Sequence, residues 1–238
     1  MDATANKVQQ HVHRAWQQVR VAMGRMSGSS RVSPTDAYSV FTPRVIGEDV
    51  HFDVQPTVFQ MPERATALNN NLYIVVAGTL TFEGPYRGKQ PLRSKAYATR
   101  IGYFRAKSST KLEHVYGAHF DMDVVHDGHP VFHAQIKPFE EYGQIVVDRY
   151  QLSLAQPIDD HVGRVLRNVR TPSAQMDFFS TVTQLCADHL LTADSGPTVQ
   201  TAFGELRRAC GFFRGAAYRA PRLLTPGATG CYRSPHWY

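Results

Sequence analysis

Five of the eleven histidines fall between His114 and His133, and carboxylates lie among them. The segment reads Glu113-His114-Val115-Tyr116-Gly117-Ala118-His119-Phe120-Asp121-Met122-Asp123-Val124-Val125, then His126-Asp127-Gly128, then His129-Pro130-Val131-Phe132-His133-Ala134-Gln135-Ile136-Lys137. Side chains alternate between the two faces of a strand, so residues two apart share a face. Sorted in this way, Leu112, Tyr116, Ala118, Phe120, Met122, Val124, Pro130, Phe132, Ala134 and Ile136 form an apolar side. The opposite side carries His119, Asp121, Asp123, His129, His133, Gln135 and Lys137, with Val125 and Val131 between them. Imidazole and carboxylate are the ligand types of a divalent metal, and both also move protons.

The turn sets which of these groups meet. A two-residue Asp127-Gly128 turn places Asp123 opposite Phe132 and mixes the faces. A three-residue loop, His126-Asp127-Gly128 with Gly128 left-handed, keeps each face consistent. That register predicts Asp121 opposite His133, His119 opposite Gln135, and Asp123 opposite Val131.

Three chemistries fit such a patch. His119, Asp121 and His133 form a two-histidine, one-carboxylate set suited to a divalent transition metal with open positions. The second histidine follows too closely for the long spacing of double-stranded-helix oxygenases. Alternatively, Asp121 or Asp123 with Gln135-Ile136-Lys137 on the next strand resembles the paired-strand core of PD-(D/E)xK nucleases. The likeness covers this hairpin only; Gln135 stands where Glu is usual and no Pro precedes the acid. It implies Mg²⁺ at a phosphodiester, with Lys137 holding or deprotonating a water. The third possibility is structural: a polar sheet face with Asp121 and His133 as a cross-strand pair.

The elements that must hold this hairpin are legible from periodicity. Val8, Val12, Trp16, Val19, Met23 and Met26 make one apolar stripe, predicting a helix over residues 2–26. Ser27-Gly28-Ser29-Ser30 and Ser33-Pro34 read as a break and linker. Strand signals follow at His51–Val54, Leu72–Val76, Tyr97–Phe104, Leu112–Val125, Pro130–Ile136 and Gln144–Leu152. Thr171-Pro172 reads as a capped helix start for a face of Met176, Phe179, Val182, Cys186 and Leu190. Ser195-Gly196-Pro197 separates this helix from one marked by Val199, Phe203, Leu206 and Cys210. Strands in direct succession predict an α+β fold: an antiparallel meander of about five or six strands, flanked by an N-terminal helix and C-terminal helices. The expected division is 1–30 as helix and linker, 31–220 as a single domain, and 221–238 as an irregular basic and aromatic tail.

The 238 residues carry a formal net charge of +6, distributed unevenly. Residues 1–31 hold +4 and residues 203–238 hold +5, so the middle is slightly acidic. Arginines outnumber lysines 20 to 6, and arginine's planar fork suits phosphate. Tyr86, Tyr97, Tyr103 and Phe104 interleave with Arg87, Arg93, Lys95, Arg100 and Arg105, a mixture able to stack on and neutralise a single nucleic-acid strand. Apolar residues at 42% exclude wholesale disorder, and no apolar run is long enough to span a membrane. Three scattered cysteines and a polar start predict a cytoplasmic protein without a disulfide framework. The stretch Gly84-Pro85-Tyr86-Arg87-Gly88-Lys89-Gln90 misses the phosphate-loop spacing, and there is no nucleophile elbow, His-Glu-x-x-His or dinucleotide fingerprint.

Taken together, the residues predict a nucleic-acid-directed protein with a metal-dependent phosphodiesterase or nuclease site on the 119–137 hairpin. His119, Asp121, Asp123, His133 and Gln135 are the expected ligands of Mg²⁺ or Mn²⁺, and Asp121, Asp123, His133 and Lys137 the expected catalytic groups. DNA or RNA is the expected partner. The alternative is a non-catalytic adaptor or subunit that docks on another protein through its first helix and its aromatic tail.

Overall fold

The structure is a computed structural model that describes residues 3–63, 71–86, 92, 94–122, 132–155, 169 and 171–214. Helix α1 (Ala3–Met26) leads into β1 (Arg31–Ser33), a short α2 (Ala37–Val40) and β2 (Phe41–Ile46). The long strands follow: β3 (Asp49–Pro62), β4 (Asn71–Phe82), β5 (Ser94–Ala106), β6 (Lys111–Met122) and β7 (Phe132–Ile136). Then come α3 (Glu140–Tyr150), β8 (Ser153–Leu154), β9 (Thr171–Pro172), α4 (Phe178–Leu190) and α5 (Pro197–Arg214). The strands form one sheet in the order β1-β3-β4-β5-β6-β7-β9, with β2 also on β3 and β8 also on β6. Every pairing is antiparallel except the short β6–β8 contact. This is the expected α+β meander. No helix among the described residues is long and apolar enough to cross a membrane.

Two cores sit on the two faces of the sheet. The larger joins α1, α4 and α5 to Phe52, Ile74, Val76 and Ile101. Every residue of the α1 stripe named above is buried here, and Ala5, Ala15 and Ala22 complete it. Alanine at these positions lets the helix axis approach its neighbours closely. An Arg25–Glu205 ion pair joins the end of α1 to α5. The stripe therefore faces inward, and docking on a partner would have to use some other surface of α1. The 27–33 stretch is a turn and an edge strand rather than a linker: Ser30 N–H bonds Ser27 O, and β1 pairs with β3.

The smaller core lies under α3, where Phe139, Tyr142 and Val146 pack on Val58, Tyr73, Val75, Phe104 and Leu112. Its helix occupies the segment that β-branched residues marked as a strand, Gln144–Leu152. Phe139, Tyr142, Val146 and Tyr150 recur at helical spacing, and Glu140 and Glu141 sit favourably in the first turn. A Gln144–Asp148 hydrogen bond of 2.6 Å bridges one turn of its outer face. Burial against the apolar sheet outweighs the strand preference of Ile145-Val146-Val147.

The second departure is at Thr171-Pro172, which pairs with the outer edge of β7 instead of opening a helix. Proline is tolerated there because β9 is an edge strand. Helix α4 starts a turn and a half later. Its N-cap is Asp177, which accepts from the N–H groups of Phe179 and Ser180, both at 3.0 Å. Residues 221–238 lie outside the described residues.

One glycine decides how the hairpin joins α3. A Cβ at Gly117 would stand 2.2 Å from the Lys137 carbonyl oxygen and 3.0 Å from Pro138 Cα. Only glycine lets the chain leaving β7 cross β6 this closely and turn Phe139 under α3. Phe139 itself has φ 47°, a left-handed conformation that its buried ring, stacked on Tyr142 at 5.2 Å, holds in place. Gly117→Ala is expected to cost about 1–3 kcal/mol, since backbone rather than a flexible side chain must move. Gly204→Ala, with nothing within 4 Å of the new methyl group, is the control. That change should stabilise α5 by about 0.5–1 kcal/mol. Urea unfolding of the two variants measures both; equal midpoints would refute the close approach.

Candidate metal centre

Strands β6 and β7 pair in the expected register. Asp121 lies opposite His133, His119 opposite Gln135, and Met122 opposite Phe132. The flanking strands continue each row: Arg100 on β5 stands opposite His119, and Ala98 opposite Asp121. Thr79 on β4 lies beyond Ala98. Ala118 and Met122 belong to the larger core, with Phe120 and Phe132 packed against it. His119, Asp121, His133 and Gln135 consequently emerge on the opposite face, the one that α3 covers farther along.

The alternation does not hold along all of β6. Tyr103 pairs with Tyr116 but Phe104 pairs with His114, so Val115 is an extra residue and bulges outward. The bulge reverses the sidedness below it. Leu112, grouped by parity with Ala118, packs instead in the core under α3. Tyr116 stays on the side of Tyr103, half-exposed, with ring centroids 6.2 Å apart.

Three of the predicted ligands converge. The ligand atoms of His119, Asp121 and His133 lie within 4.8 Å of one another. His119 Nε2 is 2.6 Å from Asp121 Oδ2, and His133 Nε2 is 3.8 Å from the same oxygen. The side chains are graded in exposure: His133 4%, His119 22% and Asp121 29%. His133 thus forms a floor, and access is from the Asp121 side. Donors around one divalent ion at about 2.0–2.2 Å stand roughly 3–4 Å apart, so modest rotation of the two partly exposed groups closes the set. The 2.6 Å contact is a close imidazole–carboxylate pairing, which an ion entering the cluster would have to replace.

The remaining predicted residues fall elsewhere or outside. Gln135 is beside His119 on β7 and half-buried, at the rim of the cluster. Lys137 is opposite Gly117, four residues or about 13 Å along the strand from the Asp121 row. Its ammonium lies over the Phe139 ring, 5.4 Å from the centroid, and is not brought to the cluster. Asp123 and the His126-Asp127-Gly128 loop lie outside the described residues.

The aromatic and basic residues of β5 do not form the stacking surface that their alternation permits. Tyr97 and Phe104 are buried and Tyr103 packs against the larger core. Burial pushes the Tyr97 phenol well above its ordinary range, and its oxygen accepts the Met176 N–H at 3.0 Å. Lys95 is paired with Asp49 at 2.6 Å, and Arg105 with Glu113 at 2.7 Å and Glu63 at 3.5 Å. Cys186 and Cys210 are buried in the larger core, where burial pushes the Cys186 thiol up and away from reactivity.

Sequence reasoning passed over Arg100 as a neighbour of the cluster. It lies beside Tyr142, whose hydroxyl is pushed up to about 12 by burial against the opposing pull of the Arg100 charge. The available signal was parity, because Arg100 alternates with the inward-facing Thr99 and Ile101. Its adjacency to His119 needed the β5–β6 register as well. His114, on the same face below the bulge, hydrogen-bonds the Pro138 backbone; burial depresses its imidazole pKa.

The chain matches no family model. No curated protein and no solved structure matches it either.

Proposed function

We propose that this protein is a divalent-metal-dependent phosphodiesterase acting on nucleic acid, with His119, Asp121 and His133 holding the ion. The observation that carries the reading is the convergence of two imidazoles and one carboxylate from paired strands. Bound there, a divalent cation supplies Lewis-acid polarisation of a phosphoryl oxygen and lowers the pKa of a water. In this reading Asp121 contributes the anionic ligand, His133 the buried imidazole and His119 the second, partly exposed one. Gln135, opposite His119 on β7, is the amide that this reading assigns to a substrate oxygen. Lys137 has no part in this version of the site.

Two imidazoles favour Mn²⁺, Co²⁺ or Zn²⁺ over Mg²⁺, which prefers oxygen. The excess of arginine and the basic ends support a polyanionic substrate. The purified protein, supplied with Mn²⁺ or with Mg²⁺, is incubated with single- and double-stranded DNA and RNA. Cleavage is expected with Mn²⁺ and expected to fall by about a hundredfold or more in Asp121→Ala. Equal degradation by both proteins, or none by either, would sink the enzyme reading.

A further inference from the structure

We propose that Arg100 is the anion-binding residue of this centre, so that the substrate class is a phosphoryl group held between the metal and a guanidinium. The inference rests on the metal-centre reading and adds to it which chemistry the site accepts. Arg100 stands directly across from His119 on the adjacent strand and shares its face of the sheet. Facing Cα atoms on neighbouring strands are about 4.5–5.5 Å apart, well within the reach of an arginine side chain.

Three features of Arg100 suit it to hold an anion. It is exposed. Among the described residues no carboxylate pairs with it, whereas Arg44 is held by Asp53 at 3.0 Å and Arg105 and Lys95 are also paired. Its near neighbour is instead the neutral Tyr142 hydroxyl. The sheet surface next to the carboxylate is also low, because Ala98 faces Asp121 and the exposed Thr79 follows. A tetrahedral anion resting on Ala98 can turn one oxygen to an ion at His119 and Asp121 and another to Arg100. The planar fork of arginine matches two phosphate oxygens at once, which a neutral amide or ester cannot use.

Cobalt(II) serves as the test metal, because its visible spectrum reports its ligands, and inorganic phosphate serves as the test anion. Wild-type protein, R100A and R100Q are each loaded with cobalt and then titrated with phosphate. All three are expected to bind cobalt within threefold of one another. Phosphate should perturb the wild-type spectrum, and its dissociation constant should rise about tenfold or more in both variants. R100K, which restores charge but not the fork, should recover part of the loss. Phosphate binding within twofold of wild type in R100A and R100Q would overturn the role of Arg100 while leaving the metal centre standing. Loss of cobalt along with phosphate in the variants would also overturn it, since Arg100 would then serve the site's structure. A wild-type protein that takes up no cobalt would remove the metal centre and this inference with it.

Discussion

Asp121→Asn should weaken transition-metal binding by about a hundredfold or more while leaving the fold unchanged. Asparagine keeps the shape of the side chain, so the sheet register and the neighbouring imidazoles stay in place. It loses the negative charge on which the proposed cation site depends, and leaves only the two imidazoles. Residues that merely orient a metal ligand are worth tenfold to a hundredfold in affinity, and a charged ligand is worth more. Calorimetric titration of the two proteins with Zn²⁺ measures the difference. Equal affinities for the two proteins would mean that the His119–Asp121–His133 arrangement is a hydrogen-bonded cross-strand cluster and no metal site.

Trp16→Ala is the stability counterpart, with an expected loss of about 3–5 kcal/mol. Trp16 is 1% exposed and its indole meets Phe41, Phe59 and Phe178 at centroid distances of 5.9, 6.1 and 5.9 Å. It therefore ties α1 to β2, β3 and α4 at one point, where truncation leaves a cavity lined by rigid rings. The indole N–H also donates to the Thr35 carbonyl at 3.0 Å, and that acceptor would lose its partner. Whole domains are stable by only about 5–15 kcal/mol, so this single change removes a large share. Urea unfolding should show a lower midpoint with an unchanged slope. A midpoint near that of wild type would mean that α1 is peripheral and that its apolar stripe is available to a partner after all.

The hairpin was readable because two independent constraints agree there. Alternation divides His119, Asp121, His133 and Gln135 from Ala118, Phe120, Phe132 and Ala134, and of the two short loops only the three-residue one keeps the division on both strands. The observed pairs follow that register. Alternation failed where an extra residue interrupted it, at Val115, since a bulge leaves no compositional mark in so mixed a strand. Ile145-Val146-Val147 misled for a different reason: β-branched residues carry a strand preference of a fraction of a kcal/mol, which burial of Tyr142 and Val146 overrides. At Thr171-Pro172 the local helix-start signal was outweighed by the open edge of β7, a partner some 40 residues away in the chain.

Patterning within the chain determined the α+β class, the inward stripe of α1, the faces of α4 and α5, and the pairing of Asp121 with His133. These are local periodicities, and a single buried face is enough to select them. Tertiary structure alone decided what surrounds the cluster. It places Arg100 and Ala98 beside His119 and Asp121, carries Lys137 away over Phe139, and buries Tyr97 and Phe104 where a nucleic-acid surface was expected. Each of these depends on contacts between strands or layers that are distant in sequence, and no period in the residues records which neighbour a strand will have.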